Sequence, residues 1–419
     1  MSVNESSNQY IDELCSRAKK AVRIAANLST ADKNRILMSI SAELKKNIRF
    51  IISENKKDLE NAKKQGVSNA FYDRLLLDEK RIEGIACSVE EIANFSDPVG
   101  RIENMKVVPS GIRVGQMRIP LGVVAVIYES RPNVTVDIAA LCIKSGNVAI
   151  LRGGEEAMYS NMAFARIIRN AIKEAGQPED IVNVMENLDR SLVPILLKKD
   201  KYIDIVIPRG GEGLIQMVTR ESTIPVLKHE KGVCHVFVDE TAVKETAEKI
   251  TINAKVQRPS ACNAAETLLI HDKYPYAPEL IQCLIDCGVE VRGCEKTVNL
   301  AQGIKTASHD DWSTEYLELI ISVKIVSSFD EAIDHISQYN SGHTETIITS
   351  DYYNSERFLK EIDSAAVMVN ASTRFHDGGE FGLGAEVGIS TQKLHARGAM
   401  GIEGLTTLKY IVYGNGEAR

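Results

Sequence analysis

One cysteine stands in a polar stretch of the sequence where its sulfur could act as a nucleophile. In "VQRPSACNAAETLLIH" (256–271), Cys262 follows Arg258, Pro259 and Ser260 and precedes an apolar run. The reactive form of cysteine is the thiolate, and a nearby positive charge such as that of arginine stabilises it. The alternative is that Cys262 is a small buried hydrophobic side chain, the ordinary role of a cysteine outside a disulfide. From these residues alone, both interpretations stay open.

Two glycine turns follow apolar runs that are typical of strands. Gly210, Gly211 and Gly213 lie in "VIPRGGEG", and a second pair of glycines lies in "ILRGGEEA" (150–157). Glycines at the end of a strand let backbone N–H groups approach a phosphate where a helix begins. The spacing is not GxGxxG, and a plain tight turn is the alternative. Two such turns favour one shared ligand, and the basic Arg152 favours a 2′-phosphate, hence NADP over NAD.

A glycine-rich segment near the C-terminus, 370–404, predicts little regular structure. A long irregular segment inside a compact domain is usually functional. It contains Arg374 and Arg397 together with Ser372 and Thr373, a set that suits an anionic substrate. A solvated excursion or a contact between subunits is the alternative.

The N-terminal part of the chain predicts helices that would support such a site. Apolar residues recur every three or four positions, which predicts helices over 9–28 and 30–65. Ser29 can cap the second helix and Gly66 can end it. A hairpin is predicted near 106–118, where valine and isoleucine are frequent and glycine and proline interrupt them.

After the hairpin, strands and helices alternate in two series, beginning with the apolar run 123–128. Alternation of this kind predicts an α/β fold with a parallel, doubly wound sheet. The two series are joined near residue 230. We therefore expect two α/β domains with a cleft between them.

Composition excludes several classes of protein. The 419 residues are 44% hydrophobic, enough for real cores, and the net charge of −7 argues against nucleic acid as the main partner. No apolar run is long enough for a membrane span, and the N-terminus lacks the pattern of a signal peptide. Eight cysteines without a CxxC pair fit reduced thiols in the cytoplasm. The one cysteine cluster, 283 to 294, favours packing over zinc, so no metal site is predicted.

Three stretches carry a resemblance to a known family: "LGVVAVIYESRPNVTVD", "VQRPSACNAAETLLIH" and "VNASTRFHDGGEFGLGAEVGISTQKLHARGAMGIEGLT". They resemble the gamma-glutamyl phosphate reductases (glutamate-5-semialdehyde dehydrogenases), a branch of the aldehyde dehydrogenase superfamily. The resemblance implies NADPH-dependent reduction of L-glutamyl 5-phosphate to L-glutamate 5-semialdehyde. Phosphate would be released and a cysteine thioester formed on the way, as a step of proline biosynthesis.

The same resemblance implies how the chain divides into domains. An NADP-binding domain would comprise 1–102 and 119–229, and a catalytic domain with the nucleophilic cysteine would comprise 230–405. A small β flap for oligomerisation would be made by 103–118 and 406–419. The expected fold is therefore aldehyde-dehydrogenase-like, with a doubly wound cofactor domain, an α/β catalytic domain and this flap.

Matching the family's motifs to this sequence implies roles for individual residues. Cys262 takes the position of the nucleophile, and the "PRGG" turn takes that of the cofactor loop. Arg152 and Glu155 fall where the adenosine ribose is held, and Glu318 falls where the nicotinamide ribose is held. Asn133 is the candidate for the asparagine of the oxyanion hole.

The substrate's anionic groups call for basic residues, and one basic residue stands in an unexpected place. Arg258, Arg374 and Arg397, and after them Arg131, are candidates for binding the phosphate and the α-carboxylate. Hydrolytic aldehyde dehydrogenases carry a glutamate base about 34 residues before the cysteine, where this chain has Lys228. Hydrolysis of a thioester needs a base that activates water, whereas exchange of the acyl group with phosphate does not.

Other functions are compatible with the same motifs. A CoA-acylating or other non-hydrolytic aldehyde dehydrogenase also dispenses with the glutamate base, although the arginines of the C-terminal segment count against an uncharged pocket. A non-enzymatic structural role would not need the cysteine. A homo-oligomer is expected, as is a possible complex with glutamate 5-kinase, which makes the labile acyl phosphate.

Overall fold

The structure is a computed structural model that describes residues 3–228, 231–383 and 385–419. By its internal contacts the chain divides into two compact units. The first unit comprises Met1–Lys228, Gly382–Gly388 and Met400–Arg419, and the second comprises His229–Phe381 and Ile389–Ala399. The predicted boundary near 230 falls on residues 229 and 230, which lie outside the described part.

Helices and strands alternate along most of the chain. The helices are α1 (Val3–Ala25), α2 (Thr30–Lys46), α3 (Ile48–Lys64), α4 (Asn69–Leu75), α5 (Glu79–Asn94), α6 (Asn133–Lys144), α7 (Met158–Glu174), α8 (Leu192–Leu196), α9 (Glu212–Glu221), α10 (Lys244–Val256), α11 (Ala277–Asp286), α12 (Glu295–Val298), α13 (Phe329–Tyr339) and α14 (Tyr352–Glu361). Within the part of the chain that is described, no helix is long and apolar enough to cross a membrane.

The strands follow the same numbering. They are β1 (Ile102–Val107), β2 (Arg113–Pro120), β3 (Val123–Tyr128), β4 (Val148–Arg152), β5 (Val182–Val184), β6 (Ile205–Arg209), β7 (Cys234–Val238), β8 (Ala265–His271), β9 (Glu290–Gly293), β10 (Lys305–Thr306), β11 (Ile320–Val326), β12 (Thr344–Ile348), β13 (Ala366–Val369), β14 (Ile389–Ser390), β15 (Gly398–Ala399) and β16 (Thr406–Tyr413).

The first unit is built on a four-stranded parallel sheet with the order β5-β4-β3-β6. All residues of β3 and β4 are buried, which is typical of parallel strands that are covered on both faces of a sheet. The carboxyl ends of β3, β4 and β6 therefore meet at one edge. In open α/β sheets this is the edge where ligands bind.

The predicted single helix over 30–65 is wrong, because the helix is interrupted at Asn47. The backbone of Asn47 (φ −102°, ψ 16°) leaves the helical region, and its side-chain amide donates to the carbonyl of Glu43 at 2.7 Å. Asparagine side chains compete with the helix for backbone groups in this way. Both predicted end signals are confirmed: Ser29 accepts from the N–H of Asp32, and Gly66 has a φ of +66°.

A second sheet of the first unit is small and antiparallel, with the order β1-β2-β16. The predicted hairpin is confirmed as β1 and β2, and the C-terminal β16 pairs with β2 over its full length. The carbonyl of Leu405 also accepts from the N–H of Leu121 and from the side chain of Asn147. These contacts place 400–405 in the first unit, where the predicted boundaries had counted them with the catalytic domain.

The second unit is built on a seven-stranded parallel sheet with the order β10-β9-β11-β8-β7-β12-β13. Separate clusters of apolar side chains pack around this sheet, and β8 is buried along its whole length near the centre. The loop from Gln257 to Ala264, here called the cysteine loop, connects α10 to β8. A central strand and the helix before it therefore fix both ends of the loop that contains Cys262.

Candidate functional site

Cys262 lies half-buried in the cysteine loop and forms no disulfide. Two tight turns shape the loop: the N–H of Ala261 donates to the carbonyl of Arg258 at 3.1 Å, and the N–H of Ala264 donates to that of Ala261 at 3.0 Å. The sulfur is thus attached to a compact backbone that hydrogen-bonds to itself. A half-exposed cysteine of this kind is accessible to a substrate, whereas a core cysteine is not.

The inner side of the cysteine loop packs against the backbone of Gly232. A β-carbon at this position would overlap the carbonyl oxygen of Cys262, so only glycine fits. The thiol of Cys234, which is fully buried, donates to the same carbonyl at 3.3 Å. Burial raises the pKa of Cys234 well above its ordinary value, so this sulfur stays a neutral donor. The peptide that follows Cys262 is therefore held in place from behind.

Arg374 reaches both ends of the cysteine loop. Its Nε donates to Oε1 of Gln257 at 2.8 Å, and its Nη1 donates to Oδ1 of Asn263. Asn263 is buried, and its Nδ2 donates in turn to the main-chain carbonyl of His376 at 2.9 Å. Both polar ends of Asn263 are therefore occupied within the protein, and it serves as a support for the loop.

Positive charge is concentrated beside the cysteine. The pKa of Arg374 is lowered, first by burial and then by the positive charge of Arg258, while a negative charge on Cys262 acts in the opposite direction. An anion bound between two guanidinium groups reduces their mutual repulsion. The surroundings thus favour a thiolate at Cys262 and an anionic group on the substrate.

A buried ion pair links the cysteine loop to a neighbouring turn. Lys255, at the end of α10, and Glu266, in β8, are both fully buried, with their Nζ and Oε2 atoms 2.5 Å apart. The second carboxylate oxygen of Glu266 accepts from the N–H of Leu317, whose φ is +57°. Burial raises the pKa of Glu266 to about 7. The strand after Cys262 thereby fixes the turn that exposes Glu318.

The other predicted substrate residues lie in different surroundings. Arg397 donates to a carboxylate oxygen of Asp363 at 2.7 Å and to its main-chain carbonyl at 3.1 Å. Together with Lys393, it lowers the pKa of Asp363. Arg131 is exposed, immediately before α6 in the first unit. Of the four predicted arginines, the structure brings Arg374 and Arg258 together with Cys262.

The predicted cofactor glycines follow β6 in the first unit, where α9 begins. The N–H of Gly211 donates to a carboxylate oxygen of Glu129 at 2.9 Å, so an anionic group already occupies the amide at the start of this helix. Gly210 lies against the same carboxylate, and Gly213 is exposed in the first turn. Amides at a helix N-terminus bind phosphate, so this position fits a dinucleotide phosphate in place of Glu129.

Arg152 ends β4 and is almost entirely buried, at 7% exposure. One of its terminal nitrogens donates to the carbonyl of Leu188 at 2.8 Å, while its buried Nε has no partner among the described residues. Burial is the main reason that the pKa of Arg152 is lowered. Glu155, a few residues on, is exposed. A buried guanidinium with an unused N–H fits an anionic group of a cofactor.

Asn133 is the first residue of α6, and its side-chain amide donates to Oδ2 of Asp137 at 2.8 Å. An amide nitrogen carries two hydrogens, so one remains for another acceptor. Burial raises the pKa of Asp137 to about 6. Asp137 thus fixes the orientation of the amide that the sequence assigned to the oxyanion.

Several supporting residues were not singled out from the sequence. They are Gly232, Cys234, Asn263 and the pair Lys255 and Glu266. One local signal was available, since Glu266 is a charged residue inside an apolar strand, where burial requires a partner. Among the residues that the structure describes, no group of three or more His, Cys, Asp or Glu side chains could hold a metal ion.

Comparison with known proteins agrees with this fold. The model of the aldehyde dehydrogenase family matches residues 1–286. A gamma-glutamyl phosphate reductase from Clostridium botulinum is 50% identical over 405 residues, covering 96% of this chain and 98% of the relative. One from Geobacter metallireducens is 51% identical over 413 residues, covering 98% of this chain and 99% of the relative.

Solved structures point to the same group. The crystal structure of gamma-glutamyl phosphate reductase from Thermotoga maritima shares 46% identity with a TM-score of 0.96, covering 98% of this chain and 99% of that one. An acetylating aldehyde dehydrogenase from Geobacillus thermoglucosidasius, 18% identical with a TM-score of 0.70 over 100% of this chain and 99% of that one, shares the fold. The chain therefore belongs to the aldehyde dehydrogenase family, in its gamma-glutamyl phosphate reductase branch.

Proposed function

We propose that this oxidoreductase reduces L-glutamyl 5-phosphate to L-glutamate 5-semialdehyde with NADPH and releases phosphate, as a step of proline biosynthesis. Relatives that carry the name of this activity share half of their residues with the chain over nearly its whole length. The observation that carries the proposal is the half-exposed Cys262 on a tightly held loop, beside the charges of Arg374 and Arg258.

In the first step the thiolate of Cys262 attacks the acyl carbon of the substrate. The carbon–oxygen bond to phosphate breaks, phosphate leaves with the bonding electrons, and a thioester forms on the sulfur. Phosphate is a good leaving group, so no strong general acid is required. Arg258 and Arg374 would bind the anionic groups, with Arg397 and Arg131 as further candidates for the α-carboxylate.

NADPH, when bound, supplies the hydride that reduces the acyl group. Gly210, Gly211 and Gly213 at the start of α9, with Arg152 and Glu155 after β4, would hold its phosphates and adenosine ribose, and Glu318 its nicotinamide ribose. The chemistry of the three glycines and of Arg152 fits, because they offer a helix N-terminus and a buried guanidinium with an unused N–H.

The developing oxyanion needs donors fixed in advance. We assign this role to the backbone N–H of Cys262 and to the amide of Asn133, and the loss of one such donor typically costs about 3 kcal/mol. Lys228 stands where hydrolytic relatives carry a glutamate base. With lysine there instead of glutamate, this position lacks the carboxylate base that activates water in those relatives, so the acyl group is kept for reduction.

Replacing Cys262 by alanine tests the covalent step. Turnover should be abolished while far-ultraviolet circular dichroism and NADPH binding stay unchanged, because the sulfur is needed only for chemistry. The convenient assay is the reverse reaction, the phosphate-dependent reduction of NADP by glutamate semialdehyde, run beside NAD. A Cys262→Ala variant with wild-type turnover would refute the mechanism. Activity with coenzyme A but not with phosphate would favour the CoA-acylating alternative instead.

We also propose that the protein is a homo-oligomer through the sheet β1-β2-β16. This sheet exposes Val107 at 68%, Tyr410 at 72% and Val412 at 57%, and such an apolar surface is typical of an interface. Sedimentation at several protein concentrations tests this, and a Tyr410→Asp, Val412→Asp variant should shift towards the monomer. The location in the cytoplasm and the complex with glutamate 5-kinase remain predictions, the latter to be tested by co-sedimentation of the two proteins.

A further inference from the structure

We propose that Arg374 is a positioning residue for the nucleophile, which acts on Cys262 through Gln257 and Asn263 before any substrate is present. This goes beyond its role as a candidate substrate ligand, and it depends on the proposed function only in taking Cys262 as the nucleophile. Gln257 and Asn263 flank Cys262, five residues before it and one residue after it. A group that holds both side chains fixes the backbone between them.

The geometry supports this role at each end of the loop. Nε of Arg374 donates to Gln257 at 2.8 Å, and Nη1 of the same guanidinium donates to Asn263. The guanidinium is planar and rigid, so its two bonds keep the two acceptors at a constant separation. Lysine would retain the charge but could not reproduce both bonds.

Asn263 transmits the constraint because it has no freedom of its own. It is 3% exposed, its Oδ1 accepts from Arg374, and its Nδ2 donates to the main-chain carbonyls of His376 at 2.9 Å and of Arg374 at 3.4 Å. Asn263 and the segment 374–376 are therefore joined by both side-chain and main-chain bonds. The loop that bears Cys262 cannot shift without breaking bonds to Arg374.

The positive charge of Arg374 also favours the reactive form of Cys262. A negative charge on Cys262 favours the charged form of Arg374, and the coupling is reciprocal, so the guanidinium favours the thiolate. An opposite charge that stabilises a thiolate by one pKa unit raises its population about tenfold. Arg374 thus both orients the sulfur and favours its reactive form.

The rate at which iodoacetamide alkylates Cys262 in the absence of substrate tests this inference. Modification of Cys262 is followed by mass spectrometry of its peptide, so the exposed thiols of Cys87 and Cys287 do not interfere. For Arg374→Met we expect a rate about tenfold below wild type at pH 7. For Arg374→Lys and Asn263→Ala we expect intermediate rates, because the charge remains while at least one bond between residue 374 and the cysteine loop is lost.

A double-variant cycle separates positioning from independent effects. If Arg374 acts through Asn263, the Arg374→Met, Asn263→Ala variant should be alkylated no more slowly than Arg374→Met alone. Lys393→Met is the matched control, because it removes a positive charge from the same irregular segment, and Lys393 is bonded to Asp363 and not to the cysteine loop. It should be alkylated within twofold of the wild-type rate.

Two results would overturn the inference. One is wild-type alkylation in Arg374→Met and Asn263→Ala with a raised KM for the substrate, which would make Arg374 a substrate ligand alone. The other is a double variant whose alkylation rate is lowered by the product of the two single-variant factors, as expected for independent effects. If Arg374→Met does not fold, the alkylation rates of Arg374→Lys and Asn263→Ala still test the inference. Both results leave the proposed function standing, since that is tested separately, by the activity of Cys262→Ala and by the dependence on phosphate instead of coenzyme A.

Discussion

Replacing Gly232 by alanine should damage catalysis far more than stability. The added β-carbon would lie 2.7 Å from the carbonyl carbon of Cys262 and 2.9 Å from its Cα, and it would overlap the carbonyl oxygen. Carbon atoms in contact are normally about 3.5–4.0 Å apart, so the cysteine loop must retreat by roughly 1 Å. A misplacement of that size costs about 100-fold in rate, equivalent to about 2.7 kcal/mol. Overpacking should lower the free energy of unfolding by about 1–3 kcal/mol.

The assay for Gly232→Ala is kcat in the phosphate-dependent oxidation of glutamate semialdehyde, with the dissociation constant of NADPH measured in parallel. We expect the loss in kcat and an unchanged affinity for NADPH, because Gly232 touches the cysteine loop. Gly84→Ala is the matched control: Gly84 lies in α5, and a β-carbon there meets no atom within 4 Å. A kcat for Gly232→Ala within threefold of wild type would refute the reasoning, since the loop would then tolerate the shift.

Two further predictions concern buried ionisable groups. Glu266→Gln leaves Lys255 buried without its counter-charge, and neutralising a lysine at pH 7 costs up to about 4.6 kcal/mol. Urea unfolding should show a loss of about 3–5 kcal/mol, and a loss below about 1 kcal/mol would contradict the burial of the pair. Burial holds the pKa of His335 at about 3, so below pH 6.5 the unfolded chain takes up a proton that the folded chain does not. Stability should therefore fall by about 1.4 kcal/mol per pH unit between pH 6.5 and 3, and His335→Phe should flatten this slope; an unchanged slope would be evidence against it.

Elements with an unmistakable local pattern were predictable from the sequence. The strand expected at 123–128 is β3 with the same limits, because a short apolar run between turn residues has few alternatives. The helix expected over 30–65 was wrong at Asn47, because apolar residues such as Leu44 and Ile51 continue the helical spacing across the break. The hydrogen bond from the side chain of Asn47 to the carbonyl of Glu43 does not change the spacing of the apolar residues.

The sequence predicts only those features of the site that depend on residues close together in the chain. The polar setting of Cys262 could be read beside it in the chain, but Arg374 and Asn263 are 111 residues apart and meet only because the sheet is ordered as it is. The pairing of Arg397 with Asp363, 34 residues away, was hidden for the same reason. Contacts between loops depend on strand order, which hydrophobic patterning does not determine.

The pairing of β16 with β2 has a consequence for biosynthesis on the ribosome. Thr406 to Tyr413 pair with Pro120 to Arg113, so β2 is made early and must wait for a strand that is translated much later. Most of the second unit emerges before this waiting strand is joined. A nascent chain released prematurely, anywhere before residue 406, would leave β2 with an open edge that other chains could join, so the cell's quality control should recognise such fragments as aggregation-prone.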